Sequence, residues 1–223
     1  MSNIFIYLLL SALIFYPIIG GISFLVSGFY YHFFLEKQDR PSYLKGGIPF
    51  VTIFVPAHNE EEVIGKTISY LETKMNYPTN KYEILVIDDN SIDKTSNILK
   101  KLQSQFKNLR IITIKNNQGK AHGYNIALAF AKGEYILSND ADTQPEPDAI
   151  WKYISYFQRK DGKNLGAVTG NTLPANRTTI IALAQENELN SIIGLIKRSQ
   201  ASYGGLFGCK LIPETTFKRG YNE

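Results

Sequence analysis

Two aspartates separated by one residue, Asp140 and Asp142, follow a short apolar run, and their type and spacing indicate metal chemistry. Two carboxylates this close repel each other unless a cation lies between them. Ligation by oxygen alone favours Mg²⁺ or Mn²⁺, which commonly keep waters and substrate phosphates in their coordination shell. We therefore predict that Asp140 and Asp142 hold the metal and that Asp140 also faces a bound diphosphate. The alternative is that Asp140 or Asp142 only shapes the turn before Pro145.

A second acidic pair, Asp88 and Asp89, ends another apolar run. Carboxylates at this position can accept hydrogen bonds from the N–H groups of a base or from ribose hydroxyls. We predict both as ligand contacts. The alternative is a turn in which Ser91 or Asp93 caps the next helix.

The segment VPAHNE, residues 55–60, follows the first apolar run. Pro56 can end a strand because that position needs no ladder hydrogen bond, and the acids after it suit the positive end of a helix. Helix capping would explain much of this pattern. We nevertheless predict Pro56 and Glu60 as ligand contacts and expect His58 to line the pocket.

Lys120 follows Gly119 at the start of a predicted helix, so the backbone can approach a phosphate closely and a positive charge lies near it. We predict Lys120 as a contact on the phosphate side, with a solvated lysine as the alternative. His122 and Asn125 are possible pocket residues. The G-x-x-x-x-G-K-[ST] and G-x-G-x-x-G motifs are missing, so ATPase and dehydrogenase functions lose their main support.

Short apolar runs alternate with helical stretches from Phe50 onward, which is typical of a mostly parallel α/β sheet with crossover helices. The predicted strands are 50–55, 82–87, 109–114, 134–138 and 166–170. The predicted helices are 60–74, 93–106, 120–131 and 147–158. Ligands of open α/β sheets bind outside the carboxyl ends of the strands. Because each polar cluster follows one of the first four strands, we expect all of them at one rim.

The first 35 residues contain no Lys, Arg, Asp or Glu, and about 20 apolar residues suffice to span a bilayer. We predict a transmembrane segment over residues 1–35 and a juxtamembrane linker over 36–49. A cleaved signal peptide fits poorly because the run is too long and no basic region precedes it. Lys37, Arg40 and Lys45 follow the span, so the chain after residue 36 is expected to be cytoplasmic.

Composition gives two further indications, about partners and about the redox compartment. The chain has 223 residues, enough for one ordinary domain and an appendage, and 24 basic against 20 acidic residues give a net charge of +4. That mild excess, without a clustered basic face, does not indicate a nucleic-acid partner. The single cysteine, Cys209, cannot form an internal disulfide, so no oxidising compartment is required.

The four polar segments in this order resemble the donor-binding half of a family 2 glycosyltransferase, over about residues 50–200. Within that family, AVTGN at 167–171 and IIGLIKRSQ at 192–200 resemble poly-β-1,6-N-acetylglucosamine synthases. The resemblance implies a GT-A-like fold, a UDP-N-acetylglucosamine donor, Mg²⁺ or Mn²⁺, inversion, and a growing polysaccharide as acceptor. A small membrane accessory subunit is a further possible partner.

Carried over by position, the resemblance assigns each predicted residue to one part of the donor. The residues that would face the uridine are Pro56, Glu60 and Asp89. Lys120 would lie on the phosphate side, and Asp140 and Asp142 on the diphosphate and metal.

The resemblance ends after Gln200, and residues 201–223 form a divergent tail. The tail lacks the Thr-Glu-Asp-like motif that supplies the catalytic base in the resembled family, and it lacks the Q-x-x-R-W acceptor signature. Glu214 does not match as a substitute base. We therefore expect a truncated, frameshifted or fragmentary enzyme that binds donor weakly and does not polymerise. The alternatives are a non-catalytic nucleotide-sugar-binding membrane subunit and a single-transfer glycosyltransferase.

Overall fold

The computed structural model describes residues 2–35, 47–115, 119–158, 165–170, 173–174, 178–189, 194–202 and 211–213. The chain divides into two compact units. One comprises Met1–Gln38 and Gly170–Gly208, and the other comprises Asp39–Thr169 and Cys209–Glu223. Most of the predicted linker, residues 36–46, lies outside the described residues.

The larger unit is an α/β domain built on a five-stranded sheet. Its strands are β1 (Val51–Ala57), β2 (Tyr82–Asp89), β3 (Leu109–Ile114), β4 (Tyr135–Ser138) and β5 (Leu211–Pro213). Its helices are α2 (Ile64–Lys74), α3 (Thr95–Gln103), α4 (Lys120–Leu128) and α5 (Ala149–Phe157), and a short 3₁₀ turn covers Thr79–Lys81. The strand order is β3-β2-β1-β4-β5, in which the first four strands are parallel and β5 is antiparallel to β4.

Helices cover both faces of this sheet, which explains why its central strands are almost continuously apolar. Alternate residues of β1, such as Ile53 and Val55, pack on one face against α2, α3 and α5. Phe54, between them, packs on the opposite face against α4. Every residue of β2 is buried. The three-layer arrangement confirms the predicted α/β fold with a mostly parallel sheet.

The first four predicted strands are confirmed to within two residues at either end. The fifth, 166–170, is wrong: within the described residues 165–170 only Val168 forms an isolated bridge. The fifth strand is instead β5, from the segment that the sequence marked as a divergent tail. Edge pairing explains the error, because a three-residue edge strand that ends in Pro213 has too short a pattern to be recognised before its partner is known.

The predicted helices are confirmed, but α2, α3 and α5 begin later than predicted, at Ile64, Thr95 and Ala149. Helices α3 and α4 end three residues earlier than predicted. The residues before α2 and α3 form turns that bind each other. Asp93 accepts a hydrogen bond from the Thr95 backbone N–H at 2.9 Å, close to the capping role expected of it.

The smaller unit contains the apolar N-terminal helix α1 (Ser2–Tyr30), which continues through Pro17 and ends in a π-helical turn, Tyr31–Leu35. It also contains α6 (Ile180–Leu189) and α7 (Lys197–Ser202). The Ser27 and Ser199 hydroxyls lie 2.5 Å apart and join α1 to α7. The stretch from Ile4 to Phe34 is long and apolar enough to cross a membrane.

Candidate functional site

A cleft of about 460 Å³ opens at the carboxyl ends of the parallel strands. It lies where β2 and β4 leave β1 on opposite sides, the position at which open α/β sheets bind their ligands. Its volume is within the range of small-molecule and cofactor sites. The lining residues are Pro56, Ala57, His58, Glu60, Ile87, Asp89, Gly119, Lys120, Gly123, Asp140, Ala141 and Asp142.

The loops after β1 and β2 bind each other and form one wall of this cleft. The Asn59 backbone N–H donates to Ser91 Oγ at 3.1 Å, and the Ile92 N–H donates back to Asn59 Oδ1 at 2.9 Å. The Glu60 N–H donates to Thr95 Oγ1 at 2.8 Å. Asn59 has a φ of +57°, a conformation that asparagine tolerates better than most residues. The wall is therefore rigidly connected, and it carries Pro56 and Glu60 on its cleft side.

His58 has a defined tautomer within this wall. Because Asn59 Oδ1 accepts from Ile92, its amide Nδ2 faces His58 Nε2 at 3.2 Å and donates to it. The other ring nitrogen, Nδ1, therefore carries the proton and donates to the Asp89 carbonyl oxygen at 2.7 Å. His58 thus joins the ends of β1 and β2, and the ring lines the cleft.

Asp88 and Asp89 differ sharply although they are adjacent. Asp88 is fully buried, and its two oxygens accept hydrogen bonds from the Ser91 N–H, at 3.1 Å, and from the Ser96 hydroxyl. Asp89 is 9% exposed, and its Oδ1 is buried without a hydrogen-bond partner among the residues that the structure describes. A buried polar atom without a partner is costly, and this oxygen is an unused hydrogen-bond acceptor beside the cleft. Asp88, by contrast, stabilises the turn after β2 through its hydrogen bonds to Ser91 and Ser96.

Lys120 begins helix α4 and extends its ammonium group across the cleft to Asp140. The Nζ–Oδ1 distance is 2.5 Å, and the ammonium lies 5.7 Å from the centre of the Tyr124 ring. Partial burial by itself would lower the pKa of Lys120, but the hydrogen bond to Asp140 and the nearby charges raise it above its ordinary value. Gly119, with a φ of +88°, turns the backbone into the helix without a side chain.

Asp140 and Asp142 follow β4, on the opposite wall from Glu60 and Asp89. Asp142 is exposed, and Thr143 Oγ1 donates to it at 3.3 Å. Among the described residues no cluster of three or more His, Cys, Asp or Glu side chains is placed to hold a metal. Two carboxylates facing a cleft nevertheless fit a hard divalent cation that takes its remaining ligands from water and phosphate.

The structure brings together six of the seven residues predicted from sequence: Pro56, Glu60, Asp89, Lys120, Asp140 and Asp142. Asp88 is directed away from the cleft lining, and His122 and Asn125 do not line it either. Residues 116–118, of the segment before Gly119, lie outside the described residues.

Tyr124 was missed by the sequence analysis. Its hydroxyl lies 2.6 Å from Ser138 Oγ, and its ring contacts Lys120. The spacing of four residues from Lys120 on one helix was the available signal, because such residues share a face.

Comparison with known proteins assigns this chain to one family. The model of glycosyl transferase family 2 matches residues 52–209. Poly-β-1,6-N-acetyl-D-glucosamine synthases from Staphylococcus epidermidis and Staphylococcus aureus are 34% and 32% identical over 198 residues. In both cases the match covers 87% of this chain and 47% of the relative, so the chain spans about half the length of these curated relatives.

A solved structure is similar as well: a mannosyltransferase from Pyrobaculum calidifontis in complex with GDP-Man and Mn²⁺. Its TM-score is 0.55 and its sequence identity 26%, over 66% of this chain and 42% of that chain. The similarity supports the assignment of the larger unit as a GT-A-like domain.

Proposed function

Because the chain belongs to glycosyl transferase family 2, we propose that it is the donor-binding part of an inverting enzyme. That enzyme would transfer N-acetylglucosamine from UDP-N-acetylglucosamine to a growing exopolysaccharide. The choice of sugar and acceptor is supported by the similarity to poly-β-1,6-N-acetyl-D-glucosamine synthases. The observation that carries the proposal is the cleft itself, which is lined by Asp89 and by the carboxylates of Asp140 and Asp142. Asp89 Oδ1 is buried and has no hydrogen-bond partner among the described residues.

The uridine would bind at the wall formed by the β1 and β2 loops. Asp89 Oδ1 would accept a hydrogen bond from an N–H of the base or from a ribose hydroxyl, which would satisfy its missing partner. Pro56 and Glu60 would complete the contact on the same wall. Because this wall is already cross-linked, the ligand would not have to order it on binding.

The diphosphate would bind at the opposite wall, between Lys120 and the carboxylates of Asp140 and Asp142. These carboxylates would hold Mg²⁺ or Mn²⁺, and the ion would neutralise the charge that develops on the departing diphosphate. The Lys120 ammonium would bind the same phosphates from the side of helix α4. Inversion requires a general base on the acceptor side, and none is assigned among the residues that the structure describes.

The apolar helix α1 would anchor the enzyme in the membrane, with the catalytic unit on the cytoplasmic side. Most large apolar side chains of α1 are exposed, and a lipid environment would bury them. At 1.5 Å per residue, the apolar helical stretch Ile4–Phe34 would measure about 46 Å, which exceeds a hydrocarbon core of about 30 Å and leaves room for tilt.

Nucleotide titration into the detergent-solubilised full chain tests this function. We expect UDP to bind in the presence of Mn²⁺, to bind at least tenfold more weakly without it, and to be preferred over GDP. Asp142→Asn should remove most of the metal dependence, because it removes half of the charge that holds the ion. Isothermal titration calorimetry measures each affinity.

Glu62→Gln is the matched control, since Glu62 is exposed and does not line the cleft. Equal UDP affinity with and without metal, in both the wild type and Asp142→Asn, would refute the metal assignment. Absence of UDP binding under all conditions would refute the donor site. Radiolabelled sugar transfer, measured on the same preparation, separates an active transferase from a chain that only binds nucleotide sugar.

A further inference from the structure

An ammonium group contacts one of the proposed metal ligands. Lys120 Nζ lies 2.5 Å from Asp140 Oδ1, and the two side chains are 53% and 43% exposed. The pair is therefore not a buried structural salt bridge, and its Coulomb energy in this partly solvated position is modest. It can open at low cost when another partner becomes available.

The fold positions this lysine although its side chain is half exposed. Lys120 is the first residue of α4, directly after the positive φ of Gly119. Tyr124, one turn later, has its ring 5.7 Å from the ammonium and its hydroxyl 2.6 Å from Ser138 Oγ. Ser138 ends β4, two residues before Asp140. Both the helix and the strand that hold the pair are thus fixed to each other beside it.

An ammonium beside Asp140 weakens the binding of a divalent cation to this carboxylate, because the two positive charges repel. A metal that binds alone therefore has the Lys120 charge beside it. A diphosphate that arrives with the metal provides new oxygens for the ammonium, which reduces this repulsion.

We propose that Lys120 is a positioning residue that acts as a built-in counter-ion for Asp140, weakens the binding of metal alone and transfers to the diphosphate when the donor binds. Metal and donor affinities are then coupled through this one side chain, and the coupling is reciprocal. The inference rests on the proposed function, since it requires that Asp140 binds metal and that the cleft binds a nucleotide diphosphate.

Manganese titration without nucleotide tests the first half. Electron paramagnetic resonance of free Mn²⁺ gives the affinity of the full chain in detergent, at about 0.15 M salt. Lys120→Met should bind Mn²⁺ roughly fivefold more tightly than wild type, because it removes the competing charge while keeping the length of the side chain. Lys115→Met removes the same charge from the exposed residue just after β3 and should change the affinity less than about twofold, because salt screens exposed charges.

The second half is tested by repeating both titrations with saturating UDP. The ratio of Mn²⁺ affinities with and without UDP measures the coupling. Lys120→Met should reduce this ratio at least tenfold and weaken UDP itself at saturating Mn²⁺, whereas Lys115→Met should leave the ratio unchanged. Lys120→Met would thus strengthen the binding of Mn²⁺ alone and weaken the binding of UDP. Substitution of a purely structural lysine would not have these opposite effects.

Unchanged or weaker Mn²⁺ binding by Lys120→Met without UDP would overturn the inference, and so would an unchanged coupling ratio. Failure of the wild-type chain to bind UDP with Mn²⁺ would instead refute the proposed function, so the two failures are distinguishable. The fluorescence of Trp151, the single tryptophan, reports whether each variant is folded. Lys120→Gln replaces Lys120→Met if the apolar side chain prevents folding.

Discussion

Buried carboxylates at the two ends of the same parallel strands differ in how completely they are hydrogen-bonded. At the amino end, Glu83 is 4% exposed and its oxygens accept hydrogen bonds from Thr52, Arg110 and the Lys132 backbone N–H. At the carboxyl end, Asp89 is almost as buried, but one of its oxygens has no hydrogen-bond partner among the described residues. We expect the fully hydrogen-bonded carboxylate at the amino end to stabilise the fold and the open carboxylate at the carboxyl end to bind a ligand.

At the amino end, each polar group serves several strands at once. Thr52, Glu83 and Arg110 are the second residues of β1, β2 and β3. Thr52 donates to Glu83 at 2.8 Å, Arg110 donates to it at 2.8 Å, and the Gly133 N–H donates to Thr52 at 2.8 Å. A side chain at Gly133 would lie 2.3 Å from the Thr52 backbone nitrogen, so only glycine fits. Both oxygens of Glu83 therefore accept hydrogen bonds from groups of the protein itself.

At the carboxyl end, two adjacent aspartates differ in how completely their oxygens are hydrogen-bonded. Asp88 has a partner for each oxygen and holds the β2 loop, whereas Asp89 faces the cleft. A fully satisfied buried group stabilises a fold, while an unsatisfied one costs stability until a ligand arrives. We therefore expect substitutions at the two ends to affect different properties, in the order that follows.

The largest effect is expected from Glu83→Ala. It leaves Arg110, Thr52 and the Lys132 N–H without their acceptor, and removal of one partner from a buried polar network costs roughly 3 kcal/mol. Thermal unfolding monitored by Trp151 fluorescence should show a clearly lower Tm, with UDP affinity below Tm unchanged. Glu62→Ala, an exposed control, should shift Tm little, and an equal shift in both variants would contradict the difference between the ends.

Asp89→Asn should have the opposite profile. We expect UDP affinity to fall about tenfold, which corresponds to about 1.4 kcal/mol, because an amide presents one acceptor where the carboxylate presents two and carries no charge. The free energy of unfolding should stay equal or rise, since a buried charge is removed. Calorimetry and Trp151 fluorescence measure the two quantities, and lower stability with unchanged affinity would count against the open carboxylate.

Asp88→Asn tests whether Asp88 stabilises the loop rather than binding the ligand. The new amide can still accept from the Ser91 N–H, but the Ser96 hydroxyl must turn and accept from the amide. Loss of the charge that strengthens both hydrogen bonds should cost about 1 kcal/mol of stability. UDP affinity should fall less than in Asp89→Asn, through disturbance of the loop. A larger loss of affinity than in Asp89→Asn would reverse the assignment of the two residues.

The smallest effect concerns Glu72, on α2, which belongs neither to the Glu83 cluster nor to the cleft lining. Burial raises its pKa above 4.5, and its Oε1 has no hydrogen-bond partner among the described residues. The folded state then holds the proton more tightly than the unfolded state. Stability is therefore greatest below the unfolded pKa of about 4.5 and falls as pH rises through the folded pKa.

Glu72→Gln should consequently stabilise the chain near pH 7, by less than about 1 kcal/mol because the side chain is only half-buried. The gain should diminish toward pH 4. Tm measured from pH 4 to pH 7 for wild type and variant checks the sign, and a gain that is constant across this range would argue against burial as the cause.

Local sequence patterns were enough to predict the architecture and the edge of the sheet at which the candidate site lies. Apolar runs such as residues 82–87 predicted strands buried on both faces, and the polar residues after them predicted one rim at the carboxyl ends. This succeeds because strand direction and the positions of turn residues are local properties, and parallel strands bring their carboxyl ends together whatever their order. The motifs after these strands also identified the family.

Which polar groups have all their hydrogen-bond partners depends on tertiary contacts. Adjacent aspartates look equivalent in sequence, yet Asp88 finds Ser91 and Ser96 while Asp89 faces the cleft. The Lys120–Asp140 pair and the Thr52–Glu83–Arg110 cluster likewise join residues 20 to 31 positions apart. Which partners meet depends on how strands and helices pack across the sheet, and hydrogen-bond saturation is a property of that packing rather than of any local pattern.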